Sequence, residues 1–156
     1  ETLKKRYEAN GKLILTLKDG DYCSQSIKNF SKVTDISIVK RGPGGVADEL
    51  VIATDKGTYK IISEYNIRAV LCDGVTGVVR QDGSEVSMPT LLPSAFFVIE
   101  PSHDKKNVVG YNIIGGGFGH GVGMSQNGAK NMALQGLGAE QILNFFYEGC
   151  EICSGQ

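Results

Sequence analysis

The sequence predicts an α+β fold, a mainly antiparallel sheet with a glycine-rich strand-to-helix loop and two C-terminal helices, and three observations carry that expectation. Short apolar runs separated by turn signals fill the first two thirds of the chain. Ten of its 21 glycines fall between Gly110 and Gly138. The segments that follow the glycine run carry apolar residues at helical spacing.

The elements can be justified in order. A helix is expected over Thr2 to Ala9 and another over Tyr22 to Phe30. Between them, Lys12 to Lys18 reads as a strand ended by the turn pair Asp19-Gly20. Val33 to Val39 alternates apolar and polar residues until Arg41-Gly42-Pro43-Gly44-Gly45 breaks the pattern. Leu50 to Ala53 and Thr58 to Ile62 flank Asp55-Lys56-Gly57, the composition of a tight hairpin. Ser63 is a potential N-cap for a short helix through Leu71. Ala95 to Ile99 and Val108 to Ile114 read as two strands joined by the polar stretch Pro101 to Lys106. The second runs straight into Gly115-Gly116-Gly117-Phe118-Gly119-His120-Gly121-Val122-Gly123. Ser125 suits the N-cap of a helix through Gln135, Gly136-Leu137-Gly138 breaks it, and Ala139 to Tyr147 places Ile142, Leu143, Phe146 and Tyr147 on one face.

Composition narrows the function classes. With 156 residues, one domain or lobe spanning 1–156 is expected. Sixteen basic residues against 17 acidic ones give a formal charge of -1, which speaks against a nucleic-acid partner held by phosphate contacts. The absence of an initiator Met and of an apolar leader core reads as a mature, trimmed or partial chain. Asn107 to Ala129 matches a membrane span in length, yet eight of its 23 residues are Gly, so a transmembrane helix is rejected. Four cysteines occur, Cys23, Cys72, Cys150 and Cys153. The Cys150-Glu-Ile-Cys153 spacing fits half a zinc site, a redox pair, a local disulfide or two surface thiols. No metal site and no cofactor are expected.

The glycine run invites comparison with phosphate-binding loops, but it contains neither GxGxxG nor the GK[ST] ending of a P-loop. What it offers is backbone N–H and C=O groups with little side-chain bulk, and His120, Ser125 and Gln126 as polar handles. That suits a polar, uncharged ligand such as a glycan. Glycines can also serve only a tight strand-to-helix crossing, and Ser125 only a helix cap. A Ser-His-Asp or Cys-His catalytic set is disfavoured: the chain has two histidines and no GxSxG elbow. No carboxylate falls in the glycine loop.

From Gly117 to Ala129, with Met132-Ala133, Gly136, Ile142-Leu143 and Phe146-Tyr147 after it, the sequence resembles the SpoIID/LytB family of stage II sporulation proteins D and amidase enhancers. Upstream echoes are Lys40-Arg41-Gly42 with Gly44-Gly45-Val46, the Leu50 to Tyr59 hairpin, Asn66-Ile67-Arg68 with Leu71, and Leu92-Pro93-Ser94 before Phe96 or Phe97. Together they cover 33–152. The resemblance implies an extracytoplasmic setting in the cell envelope, free or within a membrane-anchored longer protein, with peptidoglycan glycan strands as partner and other cell-wall hydrolases as further partners.

Sporulation members of the family are lytic transglycosylases acting on glycan strands stripped of stem peptides. A single carboxylic acid protonates the glycosidic oxygen, and the muramic C6 hydroxyl closes an anhydro ring, without the second carboxylate of ordinary glycosidases. The family's acid is a Glu in an Ala-rich segment ahead of the matched region, and no such segment occurs here. The catalytic acid is therefore expected outside this chain, which leaves three readings: the C-terminal part of a lytic transglycosylase, a non-catalytic glycan-binding or amidase-enhancer module, or a purely structural role with Cys150 and Cys153 as a local clamp. Carried over residue by residue, the resemblance makes His120, Ser125 and Gln126 glycan-site groups, Gly119, Gly121 and Gly123 the backbone that shapes the loop, and Arg68 and Ser94 further candidates. For Arg68, pairing with a surface carboxylate is the alternative. Phe118 and Asn127 stand where the family often has Trp. Phe118 retains a face for stacking on a sugar, whereas Asn127 can only hydrogen-bond.

Overall fold

The structure is a computed structural model that describes residues 1–88, 90–105 and 107–153. It forms two compact units, Glu1–His120 and Gly121–Gln156.

The first unit is built on a five-stranded antiparallel sheet of β1 (Ile14–Lys18), β2 (Asp21–Cys23), β3 (Val33–Arg41), β4 (Ala47–Thr54) and β5 (Gly57–Ile62), in the order β2-β1-β5-β4-β3. Its period-two patterning sends Ile14, Leu50, Ile52, Tyr59 and Ile61 to one face, where all are buried. Helices α1 (Thr2–Asn10) and α2 (Glu64–Leu71) contribute Leu3, Ile67 and Val70 to the same core. Fully burying an aliphatic side chain of this kind stabilises by about 1.5–3 kcal/mol.

The two helices are tied by polar contacts. The Thr2 hydroxyl donates to the Val70 carbonyl at 2.7 Å, and Arg6 donates twice to Asn66 Oδ1, at 2.7 and 3.1 Å. Ser63 caps α2 as its position suggests, accepting from the Asn66 N–H at 3.5 Å and from Asn66 Nδ2 at 3.0 Å.

Two expectations are corrected here. Tyr22 to Phe30 is not a helix. Asp19 and Gly20 both take positive φ, 52° and 95°, the geometry of a two-residue hairpin turn, and this folds Asp21–Cys23 back onto Lys18, Leu17 and Thr16. Nor is Pro101 to Lys106 a simple connection. The strand β8 (Phe97–Asp104) continues to Asp104 and pairs with β9 (Asn107–Gly115). Pro101 is tolerated because β8 pairs on one side only, so its missing N–H leaves no ladder bond unmade. Lys106 lies outside the described residues. A small hairpin of β6 (Val78–Val79) and β7 (Glu85–Val86) lies in a stretch without strong apolar alternation. The Asn107 to Ala129 stretch divides into β9, the glycine loop and the start of a helix. No helix among the described residues is long and apolar enough to cross a membrane.

The second unit holds α3 (Gln126–Leu134) and α4 (Ala139–Phe146). Both expected stops hold: Ser125 Oγ accepts the Gly128 N–H at 3.1 Å, and Gly136 turns out of α3 at φ 92°. Gly138 opens α4, its N–H donating to Gln141 Oε1 at 2.9 Å. Ile142 is the buried residue of the α4 face. A Cβ on Gly128 would lie 3.1 Å from Phe146 Cζ, so the missing side chain lets the start of α3 approach α4.

Candidate functional site

The glycine run divides between the two units after His120. Its first part lies on a shelf formed by residues 92–96. β9 ends at Gly115, where a Cβ would meet the Phe96 carbonyl oxygen at 2.5 Å and Phe97 Cβ at 2.6 Å, so only glycine fits against β8. The chain then leaves the sheet and is pinned at three points. Gly116 N–H donates to the Phe96 carbonyl at 3.0 Å, the Ser94 hydroxyl donates to the Gly116 carbonyl at 2.5 Å, and Gly119 N–H donates to the Pro93 carbonyl at 2.9 Å. Ser94 Oγ also accepts the Phe96 N–H at 3.1 Å, which fixes the shelf itself.

Between the last two pins the loop turns through Gly117 and Gly119, at φ 79° and 124°. The residue between them, Phe118, is 88% exposed. A large aromatic ring held out on a short, pinned loop departs from the usual placement of Phe inside. His120 is exposed at the end of this unit.

Arg68 is largely buried. The residue is 8% exposed and all three guanidinium nitrogens are engaged: Nε donates to the Leu92 carbonyl at 2.8 Å, Nη2 to the Pro93 carbonyl at 3.1 Å, and Nη1 to Glu64 Oε2 at 3.0 Å. The pairing with a carboxylate raised as the alternative is thus present, and Arg68 also grips the shelf beneath the loop. Ser94 likewise faces the loop backbone.

In the second unit Gly121 and Gly123 take φ 71° and 74°, conformations that disfavour any Cβ. Tyr147, which follows α4, accepts the Met124 N–H on its phenolic oxygen at 3.2 Å, and that oxygen lies 3.3 Å from where a Gly123 Cβ would sit. Ser125 is the cap of α3, and Gln126 is the first residue of that helix, with an exposed side chain. Tyr147 as a brace, and the carbonyls of Leu92 and Pro93 as anchors, were missed from sequence. Such bonds join residues more than 20 apart and leave no local pattern.

Among the described residues the carboxyls with displaced ionisation are Glu1, Asp55, Asp73 and Asp82, and each is displaced downward by hydrogen bonds to its charged form, from Lys5, Lys32, Thr76 and Ser84 respectively. An acid that protonates a leaving oxygen needs the opposite displacement. Cys150 and Cys153 are both exposed thiols, and no group of three or more His, Cys, Asp or Glu among the described residues is placed to hold a metal ion.

Comparison with known proteins adds the following. A family model described as "Domain of unknown function (DUF8618)" matches residues 9–123, so His120 falls inside the match and Ser125 and Gln126 beyond it. The chain is 48% identical over 50 residues to the "Amidase enhancer" of Bacillus subtilis (strain 168), covering 32% of this chain and 7% of that protein. It is 53% identical over 36 residues to "Stage II sporulation protein D" of the same strain, covering 23% of this chain and 10% of the relative. An uncharacterized protein of Brachyspira hyodysenteriae (strain ATCC 49526 / WA1) is 40% identical over 75 residues, 48% of this chain and 19% of that one. The aligned stretches thus span less than a fifth of the length of each relative. No solved structure matches the chain.

Proposed function

The chain belongs to the family described as Domain of unknown function (DUF8618) and contains a SpoIID-related region, and from that premise we propose that it is the glycan-gripping part of an extracytoplasmic protein of cell-wall remodelling. Its ligand is the peptidoglycan glycan strand stripped of stem peptides. The observation that carries the reading is Phe118, 88% exposed between two left-handed glycines on a loop of uncharged backbone. An aromatic face takes the C–H face of a pyranose ring, and neighbouring peptide groups take its hydroxyls. His120, in the same unit, is the polar side chain assigned to the ligand beside Phe118; Gln126, at the exposed start of α3, is the glycan-site candidate of the second unit, taken by itself. Ser125, Ser94, Gly119, Gly121 and Gly123 shape the backbone.

Binding is favoured over chemistry by residues 1–156 alone, because no carboxylate falls in the glycine run from Gly115 to Gly123. In a lytic transglycosylase of SpoIID type, this chain supplies the grip and the acid comes from elsewhere. In an amidase enhancer the same grip serves a partner hydrolase.

The test is retention of the chain on peptide-stripped peptidoglycan, with mass spectrometry of the soluble products, for the natural sequence, Phe118→Ala and Gln126→Ala. Retention lost in Phe118→Ala, with no anhydromuramic ends released, is the expected result. Anhydromuramic ends released by the natural chain and absent with Gln126→Ala would mean that the chain carries its own acid. No retention of the natural chain would overturn the reading.

A further inference from the structure

We infer that Arg68 is a positioning residue for the glycine loop, acting through the carbonyls of Leu92 and Pro93 to set where Phe118 is held. The inference rests on the glycan reading only for its consequence, since the relay itself is a matter of backbone geometry.

Arg68 comes from α2, on the opposite side in sequence of a 20-residue connection whose described residues form little regular structure apart from β6 and β7. A segment that ends such a connection has few sheet bonds of its own to fix it. The guanidinium supplies what is missing. Its planar fork presents N–H groups in several fixed directions, which allows one side chain to bond Leu92, Pro93 and Glu64 together. Glu64, one helical turn earlier, holds the fork flat and keeps the largely buried charge paired.

Downstream, the held segment passes its order on. The Pro93 carbonyl takes one bond from Arg68 Nη2 and another from Gly119 N–H, so a single oxygen links the guanidinium to the loop. Ser94, the next residue, bonds the Gly116 carbonyl. Gly116 and Gly119 are the two ends of the excursion that carries Phe118. With both ends fixed, the left-handed Gly117 and Gly119 leave the ring few directions to take. Arg68 thus influences the exposed ring without touching it. A lysine cannot replace it, because one ammonium cannot reach two carbonyls and a carboxylate in three directions.

The test uses amide hydrogen exchange and glycan retention on the full chain. Arg68→Lys should speed exchange at the Gly116 and Gly119 N–H groups about tenfold, the loss of roughly one hydrogen bond. The amides of Leu50 and Ile61 in the sheet should remain protected. Retention on peptide-stripped peptidoglycan should weaken by a similar factor. If Arg68→Lys loosens the whole unit, the double variant Glu64→Gln with Arg68→Met decides, because it keeps the stem volume and strands no buried carboxylate. Unchanged exchange at Gly119 in a folded variant would overturn the relay. Retention that is absent even in the natural chain, with the exchange result as expected, would overturn the glycan reading and leave the relay standing. Faster exchange at Gly119 with full retention would leave the relay standing and overturn its consequence, that Phe118 placement governs binding.

Discussion

The phenolic oxygen of Tyr147 accepts the backbone N–H of Met124 at 3.2 Å, so the residue after α4 closes back on the segment that leads into α3. The second unit buries little, with Ile142 as the buried residue of its helices, and a single long-range hydrogen bond therefore matters there. Tyr147→Phe keeps the ring and removes the acceptor. The expected loss is about 0.5–1.5 kcal/mol of local stability. It should show as faster exchange at the Met124 amide, with the sheet of the first unit unaffected.

Ser125 tests the difference between a cap and a ligand contact. Its Oγ accepts the Gly128 N–H at 3.1 Å, the bond an N-cap makes. Ser125→Ala should cost about 0.5–2 kcal/mol of helix stability, and Ser125→Asp should restore it, since Asp caps equally well and sits favourably at the helix N-terminus. Circular dichroism and thermal unfolding measure the first effect. Glycan retention that follows helicity through this series assigns Ser125 a structural part; retention lost in Ser125→Asp with the helix intact would give it a direct one.

Gly115 separates steric need from conformational need. Its φ is not in the left-handed region, yet a Cβ there would meet the Phe96 carbonyl oxygen at 2.5 Å and Phe97 Cβ at 2.6 Å. Both neighbours belong to a paired strand or its entry and cannot swing away. Gly115→Ala should destabilise the β8–β9 hairpin by about 1–3 kcal/mol. The readout is the thermal midpoint, compared with Gly110→Ala, which meets nothing within 4 Å.

How far the sequence was legible differs between fold and site. Patterns decided by neighbours in the chain were readable: the alternation of Val33 to Val39, the Asp55-Lys56 turn, and the Ser63 and Ser125 caps all fold as local chemistry indicates. Tyr22 to Phe30 was misread because the Asp19-Gly20 turn outweighs weak helical spacing and sends Tyr22 into a ladder. The glycine run announced a loop, but its supports did not show. Pro93, Ser94, Arg68 and Tyr147 reach it through bonds between residues 22 to 26 apart, a distance at which no spacing rule operates.

Acid should reach the 73–76 turn late. The Thr76 hydroxyl and the Thr76 and Val75 N–H groups bond the ionised Asp73 carboxylate and hold its pKa down to about 2, against an ordinary value of about 3.9. Because the folded value is depressed, the stabilisation is complete above the ordinary value and is lost as pH falls through about 2. Asp55 and Asp82 shift in the same direction through their own hydrogen bonds to Lys32, Ser31 and Ser84. The carboxyl carbon shift of Asp73, followed by NMR from pH 6 downward, should show its midpoint near 2. A midpoint at the ordinary value would mean that the turn does not hold in solution. Asp73→Asn should preserve the turn through its amide oxygen and remove the pH dependence.

The four thiols should react in a fixed order that reports on both units at once. Cys150 and Cys153 are exposed, Cys23 is half-buried with its thiol directed at the Thr16 carbonyl, and Cys72 is 6% exposed with its thiol on the Met88 carbonyl at 2.9 Å. A thiol must reach solvent as thiolate to be alkylated, so burial sets the rate by the opening it requires. Under native, reducing conditions a maleimide should label Cys150 and Cys153 within the first phase. Cys23 should follow, and Cys72 should remain unlabelled until the first unit unfolds in denaturant. Labelling of Cys72 together with the exposed pair would contradict the packing of α2 and the segment after it. Protection of Cys150 and Cys153 from the maleimide, reversed by a stronger reductant, would show that the two have closed a disulfide, as their spacing allows.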